Sequence, residues 1–349
     1  MPSATRPATA TDWVASLDPW PEEFGLDRMR ELLAALGNPQ RAFPSIHVVG
    51  TNGKSTATRT IAALLRAEGL QAGAYTSPHV SGWHERLDCD PQAFERAVAR
   101  VRGFAEPLGA TQFEVLTAAA LAHFAEAEVD VAVVEAGLGG RLDATNVVDA
   151  PVVLLTNVAL EHTDVLGDTL KEIAKEKLAV AHAARVVVAS DNTFEHLIPP
   201  AAQLVVGGAR KAAEAFLEHP VEGEVDVALP GRLERRGDEV WDGAHTPEAV
   251  DWLLARLPAR DHVLCVSILG DKRVDEMLER LARAGSTLIA TRSSNPRSLA
   301  ADELAARAEP HFEAVQAVAR PRNALARARA AGRPVLVTGS LYLLADLYG

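Results

Sequence analysis

Short runs of β-branched and apolar residues alternate along this chain with longer Ala-, Leu-, Glu- and Arg-rich stretches, and this alternation limits the fold more than any other feature. The runs 46–49, 129–134, 151–155, 185–189, 262–267, 287–291 and 334–338 are mostly apolar and β-branched, the pattern of strands buried on both faces. Stretches 55–68, 112–126, 169–182, 247–256 and 300–308 keep a helical period. Parallel strands need long crossovers, and helices of this length supply them, so the pattern predicts an α/β fold with mostly parallel, doubly wound sheets. At 349 residues there is room for two such domains. Residues 218–227 are polar and acidic with Gly and Pro, and Leu229-Pro230-Gly231-Arg232 opens a new unit. The expected division is therefore a larger domain at 1–228 and a smaller one at 229–349.

Composition removes several function classes. The net charge of −12 gives no basic field for nucleic acid. No run approaches the ~20 apolar residues of a membrane helix, and no secretory leader is evident. Cys89 and Cys265 form neither a metal-ligand spacing nor a disulfide framework, which fits a reducing cytoplasm. Residues 1–10 are expected to form a loose tail. A monomer acting on small molecules is the simplest reading.

The run 46–49 leads into Gly50-Thr51-Asn52-Gly53-Lys54-Ser55-Thr56, and a helical stretch follows. Strand, Gly-rich turn and helix is the context of a phosphate loop. Backbone N–H groups and the helix dipole favour an anion there. Lys54 can reach the β- and γ-phosphates, and the Ser55 hydroxyl can ligate Mg²⁺. The spacing is shorter than G-x-x-x-x-G-K-S/T, so a plain Gly-rich turn is the alternative. The chain has only six Lys, at 54, 171, 175, 177, 211 and 272, against 29 Arg. Each Lys thus hints at a chemical need. Glu135 follows the run 129–134 and falls at a carboxyl edge, where α/β sheets place ligands. It is a candidate Mg²⁺ ligand or a surface carboxylate.

The loop GTNGKS resembles that of the Mur ligase superfamily. Further segments are similar to its folate branch, the dihydrofolate synthase/folylpolyglutamate synthase family: residues 27–56, Tyr75-Thr76-Ser77-Pro78-His79, 113–148 with GLGGRLDATN, 156–177, 229–232, 241–247, Gly270-Asp271-Lys272 and 337–342. They follow the family order from residue 27 to the end. The resemblance implies a P-loop central domain with a mostly parallel sheet, a smaller Rossmann-like C-terminal domain, and a site between the two. It implies ATP on Gly50–Thr56, with Arg232 on a phosphate and Asp242 on the ribose. It implies Ser55, Ser77 and Glu135 as ligands of one Mg²⁺, and His162 as ligand of a second. Lys177 matches a lysine that reacts with CO₂ to give an anionic carbamate ligand. Alternatively, Lys171, Lys175 and Lys177 form a solvated helix face. Lys54, His162, Lys177 and His245 are the catalytic candidates.

The implied activity is amide formation between L-glutamate and dihydropteroate or a folate, through an acyl phosphate, giving ADP and phosphate. A murein peptide ligase is the nearest rival, disfavoured by TSPH and GLGGRLDATN; a nucleotide-binding relative without turnover is another. Two departures motivate the latter. Thr246 replaces the Asn of D-G-A-H-N-P, so the loop there is expected to be held differently. The segment between Lys177 and Leu229 is shorter than in the family and lacks an Asn that contacts ATP. Trp83 is read equally as a stacking surface for a pterin or as a packed loop aromatic.

Overall fold

The computed structural model describes residues 9–258 and 261–348. It divides into two compact units: the chain up to His79 with Trp83–Val227, and Val80–Gly82 with the chain from Ala228 onward.

The first unit is built on six parallel strands: β1 (Ser45–Val49), β2 (Ala72–Tyr75), β3 (Val131–Glu135), β4 (Val152–Leu155), β5 (Val186–Ala189) and β6 (Gln203–Val206). Their order is β2-β3-β1-β4-β5-β6. Every residue of β1, β3 and β4 is buried, because helices cover both faces. Ile46 and Val48 pack with Ile61 and Leu65 of the helix Lys54–Ala67 and with Ala212 and Ala213 of the helix Ala209–Leu217. Val49, Val134 and Leu155 belong to the core that includes the helix Gln112–Glu126. That helix is buried on nearly all sides and starts on a capping box between Thr111 and Glu114. Each fully buried side chain of this kind stabilises by about 1.5–3 kcal/mol.

Strands β3 and β4 flank β1 and pair with it, Val48 opposite Glu135 and Val49 opposite Leu155. The chain leaves β1 toward β2 and β3 on one side and toward β4 on the other. The carboxyl end of β1 is therefore the switch point of the sheet, where such folds open a crevice.

The second unit carries β7 (Glu234–Arg236), β8 (Glu239–Trp241), β9 (Val263–Val266), β10 (Thr287–Ala290), β11 (Ala314–Ala317) and β12 (Val335–Thr338), in the order β11-β10-β9-β12-β8-β7. Only β7 runs antiparallel, against β8. The seven expected strands are present within a residue or two at each end. Strands β2, β6, β7, β8 and β11 were not expected. β2 reads Ala-Gly-Ala-Tyr, and β6 and β11 are half-exposed, so none has the continuous apolar signal of a central strand. The helix expected at 169–182 ends at Leu178 and continues as a 3₁₀ turn, Ala179–Ala183. Among the described residues no helix is long and apolar enough to cross a membrane.

Candidate active site

The Gly-rich loop joins β1 to the helix Lys54–Ala67. Gly53 has φ 80°, a left-handed conformation that suits glycine, and caps this helix without a side-chain bond. The first amides of the helix have no intrahelical partner and point outward. Gly50 cannot carry a side chain, since a Cβ would lie 1.9 Å from Thr156 Oγ1. The loop is held from the end of β4. Thr51 N–H donates to Asn157 O (3.0 Å), Asn52 N–H to Asn157 Oδ1 (2.9 Å), and Thr156 Oγ1 to Asn52 O (2.8 Å). The amides of Thr51 and Asn52 thus fix the loop, and those from Gly53 onward are left to face an anion. Lys54 Nζ bonds the carbonyls of Gly50 (3.0 Å) and Thr51 (3.2 Å), so its ammonium lies over the loop.

Toward β3, Ser55 Oγ donates to Glu135 Oε1 (3.1 Å), and Ser77 N–H donates to Glu135 Oε2 (3.1 Å). Glu135 is the last residue of β3 and is 1% exposed. A carboxylate so placed is no surface group; it draws Ser55 and Ser77 into one cluster. Hydroxyl and carboxylate oxygens are hard donors that suit Mg²⁺, an ion that binds few protein groups and keeps several waters.

Lys177 lies on the helix Leu170–Leu178 and is 1% exposed, whereas Lys171 and Lys175 are exposed. The solvated-face reading therefore holds for those two and fails for Lys177. Its ammonium donates to Gly50 O (2.9 Å) and Glu161 Oε1 (2.7 Å). Burial lowers the Lys177 pKa, opposed by the Glu161 carboxylate and aided by Lys54. Burial raises that of Glu161, but the two lysines outweigh it and hold it below the usual carboxylate value. Glu161 was not singled out from sequence; its place beside His162 was the available signal. As an ammonium, Lys177 gives hydrogen bonds and cannot ligate a cation. His162 is exposed and takes a left-handed backbone, φ 45° and ψ 44°, ahead of the turn Thr163–Leu166. Among the described residues no three His, Cys, Asp or Glu side chains form a ready metal cage.

The GLGGRLDATN segment links β1 to the helix of Lys177. Asp143 accepts N–H bonds from Leu138 (2.8 Å) and Thr145 (3.0 Å) and the Thr145 hydroxyl, which also meets His47 Nε2 on β1 (2.9 Å). Burial raises the Asp143 pKa. Burial, with His182 nearby, lowers that of His47 to about 3. Arg141 N–H donates to Glu176 O (3.1 Å). Gly140 packs so closely that a Cβ would sit 2.7 Å from Lys177 O. Trp83 packs against His79, ring centroids 4.4 Å apart, with Arg86 5.3 Å from its ring, an arrangement that favours the packed-loop reading.

In the second unit, Asp242 follows β8 and is buried. It accepts N–H bonds from Leu233 (2.8 Å) and Ala244 (2.9 Å). Burial raises its pKa against those bonds and Arg232. Arg232 Nη1 reaches Gly231 O (3.2 Å). His245 Nδ1 lies 2.8 Å from Gly243 O; a carbonyl only accepts, so Nδ1 carries hydrogen. Thr246 caps the helix Pro247–Leu254, its hydroxyl accepting Ala249 N–H (3.2 Å). Asn and Thr both serve as N-caps, so the loop need not be held differently, contrary to the expectation.

Comparison with known proteins gives a consistent picture. Residues 48–216 match the Mur ligase middle domain, and 231–341 match the Mur ligase, glutamate ligase domain. The dihydrofolate synthase/folylpolyglutamate synthase of Mycobacterium tuberculosis is 32% identical, covering 89% of this chain and 85% of that protein. The folylpolyglutamate synthase of Lacticaseibacillus casei is 33% identical, covering 90% and 92%. The first alignment runs over 417 positions, more than the 349 residues here, so the relative has residues without a counterpart in this chain. Among solved structures, M. tuberculosis folylpolyglutamate synthase complexed with ADP superposes with a TM-score of 0.87 at 29% identity, covering 95% of this chain and 96% of that one. E. coli FolC in complex with DHPP and ADP gives 0.85 at 27%, covering 99% and 98%.

Proposed function

Because the chain belongs to the dihydrofolate synthase/folylpolyglutamate synthase family of Mur ligases, we propose that it joins L-glutamate to dihydropteroate, to a (tetrahydro)folate, or to both, converting ATP to ADP and phosphate. The observation that carries this reading is the cluster of Ser55, Ser77 and Glu135 at a Gly-rich loop to which Lys54 and Lys177 both bond. The amides opening the helix Lys54–Ala67 and the Lys54 ammonium hold the β- and γ-phosphates. Ser55, Ser77 and Glu135 would hold Mg²⁺, which when bound draws charge from the phosphoryl oxygens.

A carboxylate oxygen of the acceptor attacks the γ-phosphorus, the bond to the β–γ bridging oxygen breaks, and ADP leaves. The amine of L-glutamate then attacks the acyl carbon, loses a proton, and phosphate departs from the amide. On the resemblance, Arg232 and Asp242 of the glutamate ligase domain, taken as 229–349, contact the phosphate and ribose of ATP, and His245 serves the reaction centre. Two uncoupled cysteines are compatible with a cytoplasmic monomer.

Lys177 is proposed to carry a carbamate that, with His162, completes a second Mg²⁺ site. Its burial supports this, because a lowered pKa supplies the neutral amine that CO₂ needs. A ¹³C carbamate resonance in ¹³C-bicarbonate, absent from Lys177→Ala, tests it; no such resonance in the wild type rejects the carbamate. For the activity, dihydropteroate and tetrahydrofolate are supplied separately with ATP and L-glutamate, and products are weighed by mass spectrometry. A gain of one glutamyl residue is expected with at least one acceptor. ATP binding without any such product would reject the assignment.

A further inference from the structure

Ser55 and Ser77 meet at Glu135 from different elements, and something must hold them there. Ser55 lies in the first turn of the helix Lys54–Ala67, whose backbone bonds fix it. Ser77 lies just after β2, and between β2 and the 3₁₀ turn Trp83–Leu87 the described chain has no strand or helix. Its neighbour Thr76 is tied to that turn. Thr76 N–H donates to Arg86 O (2.9 Å), and its hydroxyl donates to Glu85 O (3.3 Å). The loop thus closes on itself, but these bonds do not set how far Ser77 stands from the helix of Ser55.

Arg59 makes that connection. It follows Ser55 by one helical turn, so the two share a helix face. Its Nη2 donates to Glu85 O, the carbonyl that Thr76 also uses, and its Nη1 pairs with Asp88 Oδ1. A ring of contacts therefore closes from Ser55 through Glu135, Ser77, Thr76, Glu85 and Arg59, and back along the helix to Ser55. A guanidinium suits this place because its rigid fork reaches a carbonyl and a carboxylate at once, which an ammonium cannot copy. The Arg59 side chain is 10% exposed, and its Nε is buried with no partner. Burial lowers its pKa, against the charges of Glu85 and Glu135. An unpaired buried donor costs stability, so the residue does not serve stability alone. Arg66, two turns further along, gives the contrast. It also pairs with Asp88 (2.5 Å), but its Nε donates to Ala72 O of β2 (3.0 Å), so it stands outside the ring.

We propose that Arg59 is a positioning residue of the Mg²⁺ site, setting the separation of Ser55 and Ser77 around Glu135. The proposal rests on the nucleotide-ligase reading above and adds what holds the metal ligands in register.

The test uses the full chain, with Mn²⁺ as the metal and AMPPNP, a non-hydrolysable ATP analogue, as the nucleotide. Calorimetry compares AMPPNP binding in Mn²⁺ and in EDTA. Arg59→Met should weaken binding in Mn²⁺ about tenfold and leave metal-free binding at the wild-type level. Hydrogen exchange at the Ser77 amide of the metal-free protein should quicken. Turnover should need about ten times more Mg²⁺ for half its maximal rate, with the KM for L-glutamate unchanged. Arg66→Met should lower thermal stability with none of these changes. Arg59→Lys keeps the charge and the stem; it should show a smaller loss that is also confined to Mn²⁺, and it decides the matter if Arg59→Met does not fold. Wild-type behaviour at position 59, an equal loss with and without metal, or the same metal-dependent loss in Arg66→Met overturns the proposal. If the unaltered protein binds AMPPNP neither with Mn²⁺ nor without it, the nucleotide-ligase reading itself fails, and the proposal falls with it.

Discussion

In the first unit, the central strand β1 ends in a glycine loop with Lys54 and Lys177 bonded to its carbonyls and Glu135 beside it. In the second, Asp242 follows β8 and its two oxygens hold the backbone amides of Leu233 and Ala244, while the hydroxyls of Ser267 and Ser298 meet after β9 and β10 and both accept the Ser293 N–H. Among the described residues both units have six strands, five of them parallel to one another in the second and all six in the first. The same sheet architecture thus carries opposite kinds of edge. One gathers two ammonium groups and a buried carboxylate around a glycine loop; the other uses a buried carboxylate to set backbone geometry. Sheet topology places a site, and the residues at the edge decide its chemistry.

Substitutions at the two edges test that contrast. Lys54→Ala should lower glutamate-dependent ADP release by about a hundredfold to a thousandfold, with little change in thermal unfolding. Activity near the wild-type level would remove the charged edge from the mechanism. Lys177→Met should abolish turnover and, measured against wild type kept free of CO₂ so that Lys177 is an ammonium, should destabilise the first unit by about 3 kcal/mol, because Glu161 loses its ion-pair partner beside the loop. Urea unfolding checks this, and Glu161→Gln in the same background should restore part of the loss. At the second edge, Asp242→Ala should cost about 2 kcal/mol by leaving the amides of Leu233 and Ala244 without an acceptor. Faster hydrogen exchange at those two amides is the signature.

Acid sensitivity separates the units further. His47 is buried with a pKa of about 3, and so stays neutral in the folded state while the unfolded chain protonates near 6.5. Its contribution is fully present above pH 6.5 and is lost as pH falls toward 3, with a slope of about 1.4 kcal/mol per pH unit. His47→Gln should flatten the fall in unfolding free energy between pH 6.5 and 4. His79, whose pKa burial and Arg86 also lower to about 3, would account for part of the remaining slope. An unchanged slope would place the acid sensitivity elsewhere. The smallest effect is expected for Thr246→Asn, which exchanges one helix cap for another and should alter stability by less than about 0.5 kcal/mol. A larger change would mean that Thr246 does more than cap.

Much of the site was legible because its signals are local. The phosphate loop needs Gly50 and Gly53 within one turn, and a helix must begin at Lys54; both requirements are contiguous in sequence. Glu135 was legible as the end of an apolar run, although its contact with Ser55 spans 80 residues. Asn157, Thr156 and Glu161 were not legible. Each is an ordinary polar residue in a loop after β4, and becomes specific only when that loop folds back onto Gly50–Asn52. Lys177 was legible only through resemblance. On the helix it stands with Lys171 and Lys175, and burial alone tells it from them.

Sequence by itself determined the alternation of strand and helix, the phosphate loop and the family, because these rest on short-range sterics, hydrophobic period and motif. Tertiary structure alone decided the order β2-β3-β1-β4-β5-β6, and so which residues meet at the end of β1. It also decided that Lys177 is buried and that a cavity opens beside Asn157. Burial and long-range pairing depend on what packs above a residue, and neighbours in the chain do not encode that.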